Sequence, residues 1–90
     1  MPYADGAIEL PCATLNAESR PEDLYQMGLV YSTGQGVAED LIAAHKWFNL
    51  AALKGSDEAK VQRKEMSDML SSDELAEALK AAREWLSLMN

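Results

Sequence analysis

His45 and Cys12 are the lone histidine and the lone cysteine of the chain, and they limit the chemistry it can carry out alone. A zinc site draws on three or four nitrogen, sulfur or carboxylate ligands, and one histidine with one distant cysteine does not make such a set. Covalent catalysis would need Cys12 paired with His45, or a serine paired with His45, and no motif brings either pair together. His45 is therefore expected on a polar face, and neither a catalytic residue nor a metal site is expected. Asp73, Glu74 and Glu77 could form an acidic recognition patch. Acids in a first helical turn are also what the helix dipole favours, so a solvated face is the expectation there.

The stretch Ser32 to Asp40, "STGQGVAED", comes nearest to a ligand loop. A dinucleotide loop needs a strand before it, a third glycine three residues after the second, and free helix N–H groups beyond. The third position is Glu39, and with Asp40 it places two negative charges where a phosphate would sit. The stretch is better suited to a corner between two helices, so no cofactor is expected. Met66 and Met69 could suggest an adaptable binding surface, but on a thin apolar face they are expected to fill gaps in the core.

These residues must be held by helices, because start and stop signals recur along the chain. Ser19 and Glu22 fit a capping box, with Pro21 in the first turn of a helix reaching about Thr33. Gly34 can leave that helix in the left-handed region without steric cost. Asp40 caps a second helix running to about Lys54, and Gly55 provides its exit. Ser56 caps a third segment of thin apolar face, and Ser71 with Glu74 form a second capping box, with Leu70 and Leu75 placed as a hydrophobic staple. The fourth helix sets Leu75, Ala78, Leu79, Ala82, Trp85, Leu86 and Met89 along one stripe opposite Glu77, Lys80 and Glu84.

Bulk composition narrows the class of partner. Apolar residues make up 48% of the 90 and charged residues 26%, a balance that folds. Fifteen acidic against eight basic side chains give a formal charge of -7, which repels nucleic acid and anionic lipid. No apolar run is long enough to span a bilayer, no basic and apolar export signal opens the chain, and one cysteine closes no internal disulfide. A cytoplasmic location is expected.

Met27-Gly28, Tyr31, Gly34-x-Gly36-Val37, Asp40, Ala44, Trp47-Phe48, Ala51-Ala52 and Gly55 follow one another without a gap. In this order they resemble a Sel1-like repeat, a relative of the tetratricopeptide repeat. The resemblance implies an all-α fold of antiparallel helix pairs from an α-α superhelix, with about four helices. It covers one full repeat at about 22–57, followed by a degenerate helix at 57–70 and a capping helix at 72–89. A helical domain at 19–90 thus follows an irregular arm at 1–18. Leu24 stands where the family usually has alanine, and a second copy would need a glycine near Arg63 that is not there. The "HKWFNLAA" of the second helix also looks like bacterial proteins of this type.

The matching residues have packing reasons of their own. Glycine in mid-helix costs about 1 kcal/mol relative to alanine, so Gly28 suits a place where the second helix crosses closely. Val37 is expected to drop into the interhelical core. Tyr25, Leu29 and Ser32, at i, i+4 and i+7, lie on a stripe facing away from Met27, Gly28 and Tyr31. In helical solenoids the first helix of each pair lines the concave surface, so the resemblance places a partner protein or peptide on this stripe. The leading expectation is a non-enzymatic protein-protein interaction module or adaptor. The alternatives are a structural homodimer whose subunits cover each other's repeat edge and, third, a small enzyme.

Overall fold

The computed structural model of the chain describes Leu15 and residues 19–89. The expected arm over 1–18, Leu15 apart, lies outside the described residues, as do Cys12 and the side chain of Met89. Four helices make up the described part, with no strand among these residues: α1 (Pro21–Thr33), α2 (Leu41–Leu53), α3 (Asp57–Met69) and α4 (Ser72–Met89). The all-α expectation holds at this level.

The helix boundaries follow from local chemistry. Asp40, in extended conformation, accepts the Ala43 N–H at 3.0 Å, and Ser56 accepts the Ala59 N–H at 3.1 Å. Ser71 and Glu74 cap each other: the Ser71 N–H donates to Glu74 Oε1 at 2.8 Å and the Glu74 N–H to Ser71 Oγ at 3.1 Å. The predicted Ser19–Glu22 box does not form, because α1 is capped by Arg20 without a side-chain hydrogen bond. The cause is Pro21, whose ring pushes the preceding residue into extended backbone, here φ -76° and ψ 155°. The helix therefore starts one residue later than the box requires.

Gly34 ends α1 at φ 73°, donating to Val30 O at 2.9 Å, and Gly36 turns the chain at φ 76°. The Asp40 N–H reaches back to Tyr31 O at 2.9 Å and closes the corner. At the far end of the pair, Lys54 Nζ donates to Ser19 O at 3.1 Å. With 31 beside 40 and 19 beside 54, α1 and α2 run antiparallel. Val37 is half-buried at the corner and is not part of the buried core, in contrast to its expected place.

Helix α2 is the hub, packing against α1, α3 and α4. Seven of its thirteen residues are buried, among them Ala44, Trp47, Phe48, Ala51 and Ala52. A Cβ added at Gly28 would overlap the Phe48 ring, so the predicted close crossing of α1 and α2 is present. Leu24 and Met27 from α1, Ala59 and Met66 from α3, and Ala82 and Trp85 from α4 complete the core. Trp85 meets Trp47 edge-on, with centroids 5.6 Å apart and planes at 75°, a geometry favoured by the ring quadrupoles. Met66 fills the core as expected, whereas Met69, at the last turn of α3, is 59% exposed.

Candidate functional site

The stripe predicted on α1 is less spare than its spacing implies. Tyr25 tilts against Phe48 with ring centroids 5.6 Å apart, and Leu29 is half-buried against the same core. Ser32 folds its hydroxyl onto Leu29 O at 3.2 Å. The large radius of the Tyr25 and Leu29 side chains lets them reach the α1–α2 seam from the flank of the helix. Tyr31 is likewise half-buried against the core. Tyr25, Leu29 and Ser32 thus show solvent only part of their surface.

His45 is the second departure. It is 2% exposed, inside the α2–α3 seam rather than on a polar face. The Ser67 hydroxyl donates to Arg63 O at 3.0 Å, so its oxygen accepts from His45 Nε2–H at 3.1 Å. That assigns the proton to Nε2 and leaves Nδ1 as a buried acceptor without a hydrogen-bond partner among the described residues. Burial, and secondarily the positive charge of Arg63, hold the imidazole pKa below its ordinary 6.5. Arg63 is itself held by Asn49, with Nη1 to Oδ1 at 2.9 Å. The structure thus brings a serine to the histidine, a pairing no sequence motif indicates. The serine proton is committed to a backbone carbonyl and the imidazole is sealed from solvent, so the pair fastens two helices and is not arranged to attack a substrate.

A third region combines residues that are distant in sequence. Where the start of α2 meets the corner between α3 and α4, a groove of about 270 Å³ opens to solvent. Leu41, Ile42, Met69 and Leu70 form its apolar lining, and Glu39, Asp40 and Glu74 supply three carboxylates. Asp40 and Glu74 each spend one oxygen on a helix cap. Sequence reasoning assigns Asp40 and Glu74 correctly as caps. The groove itself is not legible there, since 39–42 and 69–74 meet through the packing of α3 and α4 on α2.

Asp73, Glu74 and Glu77 are exposed at the start of α4, as a solvated first turn would be. Among the described residues no group of three His, Cys, Asp or Glu side chains is placed to hold a metal ion. None of the helices there is long and apolar enough to cross a membrane. No family model, curated protein or solved structure matches the chain.

Proposed function

We propose that the chain is a non-enzymatic protein-interaction module, in which α1 and α2 form a Sel1-like helix pair and α3 and α4 cover one side of it. The observation that supports binding most directly is the open groove beside the start of α2, where an exposed Met69 adjoins Leu41, Ile42 and Leu70. A flexible thioether on an apolar floor adapts to more than one partner shape. The outer parts of Tyr25, Leu29 and Ser32 offer a second contact surface on α1. The chemical groups that could have argued for catalysis, His45 and Ser67, are occupied in fastening α2 to α3. The acidic composition and the lone cysteine suit a cytoplasmic partner protein rather than a nucleic acid.

A homodimer is the structural alternative, favoured by the exposure of Leu53 (63%), Val61 (59%) and Leu88 (81%). Sedimentation over a range of micromolar concentrations, combined with affinity capture from the source cell, separates the two. A module yields a monomer with a defined partner, and that partner is lost when Met69 or Ser32 is replaced by lysine in a protein of unchanged melting temperature. A partner set indifferent to every such surface change would overturn the proposal, and a mass near twice 9.9 kDa would favour the dimer.

A further inference from the structure

The groove also defines the chemistry of what it binds, an inference that rests on the interaction-module proposal above. Five ion pairs are formed among the described residues, and all are local pairs of a Lys or Arg with an acid two to four residues away. Glu39, Asp40 and Glu74 take part in none of them, and no Lys or Arg lines the groove. Three carboxylates therefore stand around one apolar floor with no Lys or Arg in its lining, on a chain whose formal charge is already -7. Each carboxylate raises the local negative potential, and no Lys or Arg of the lining offsets it.

An anion does not suit this groove, because its three carboxylates repel one and Asp40 already faces the positive end of α2, accepting the Ala43 N–H. The three acids do not group closely enough to chelate a metal ion either. Carboxylates spread around an apolar floor instead match a side chain that is itself divided. Lysine and arginine carry an aliphatic stem that lies on apolar surface and a cationic head that stays at the polar rim. The volume, about 270 Å³, falls at the lower limit of small-molecule pockets and suits one or two side chains of a larger partner.

We propose that this groove docks a basic, partly apolar segment of a partner protein. A Lys or Arg stem and an adjacent Leu, Ile or Met side chain lie on Leu41, Ile42, Met69 and Leu70, and the cation reaches Glu39 and the free oxygens of Asp40 and Glu74. Among the described residues no hydrogen bond or ion pair ties down the Glu39 carboxylate, so it can contribute attraction without uncapping a helix. Asp40 and Glu74 carry both tasks and are unsuitable for testing, because their loss uncaps a helix.

Selection from a random peptide display library on the full chain, followed by titration of the best soluble peptide into isotope-labelled protein, tests the assignment. Enriched peptides should combine Lys or Arg with an aliphatic neighbour, and should shift the resonances of residues 39–42 and the Met69 methyl. Glu39→Lys should lower affinity by about fivefold or more, and raising salt from about 50 to about 300 mM should weaken binding further as charges are screened. Met69→Ser should weaken the same peptides without altering the melting temperature. Enrichment of acidic or uncharged peptides, or of basic peptides indifferent to both variants, would overturn the groove assignment. If those peptides shift the Tyr25, Leu29 and Ser32 resonances instead, the interaction module stands without this site. Absence of any enriched peptide overturns both. A concentration-dependent dimer abolished by Glu39→Lys would make a second copy of the chain the occupant and overturn the choice of a foreign partner.

Discussion

The two sides of α2 are held by opposite means. Toward α1 the contact is dry and shape-driven: Gly28 yields its side-chain volume to the Phe48 ring, with Leu24, Met27 and Tyr25 packed around it. Toward α3 the contact is partly polar, with His45 bonded to Ser67 and Asn49 to Arg63, alongside Ala59 and Met66. A dry contact is steep in shape and indifferent to pH, since its free energy lies in apolar area and close fit. A polar seam tolerates change in shape but depends on protonation, because a buried ring nitrogen without a partner resists taking a charge.

The largest test of this contrast is Phe48→Ala. Removing a fully buried phenyl ring from the dry side is expected to cost about 3–5 kcal/mol, read by urea denaturation. A loss under about 1 kcal/mol would mean that the α1–α2 contact does not depend on shape. Next is Gly28→Ala, which gains helix propensity yet places a methyl inside the Phe48 ring. The expected balance is a net loss of about 1–3 kcal/mol, and a neutral or stabilised protein would show that the ring can step aside. Gly34→Val should cost about 1–2 kcal/mol with no ligand present, because φ 73° strains a β-branched residue. A stability-neutral Gly34→Val would remove the corner's claim to set the α1–α2 geometry.

The smallest effect distinguishes the polar side. Because the folded-state pKa of His45 is lowered, the unfolded chain binds the proton more readily than the folded one. The contribution is fully present above pH 6.5, declines as pH falls below that value, and levels off below the lowered folded-state pKa. Thermal melts of wild type and His45→Phe between pH 7.5 and pH 5 should show a steeper loss in wild type. Equal slopes would mean that the imidazole is hydrated or partnered in solution, and the contrast between the two faces of α2 would weaken.

Much of this fold is legible locally. Asp40, Ser56 and the Ser71–Glu74 pair are caps that act within three residues, and Gly34, Gly36 and Gly55 adopt conformations that L side chains avoid. The Ser19 box fails for an equally local reason, since Pro21 dictates the backbone of Arg20 more strongly than a hydroxyl cap does. His45 is misplaced by its residue type, because α2 is enclosed on several sides and leaves few outward positions. Tyr25 and Leu29 are misjudged by angle alone, as long side chains reach inward from a flank that spacing marks as free. The groove is invisible along the chain because its two halves lie about thirty residues apart. The caps within it are local facts, and their meeting in one groove is a tertiary one.

The placement of α2 has a further consequence for how the molecule opens. Helices α1, α3 and α4 lean mainly on α2 and much less on one another. Any of the three can therefore detach while the other two remain seated, but none can remain seated once α2 melts. Amide protons should sort accordingly: those of α2 exchange with solvent only through global unfolding, and those of the outer helices through partial openings of lower free energy. In a chain this small, the order of exchange would reveal which helix lets go first.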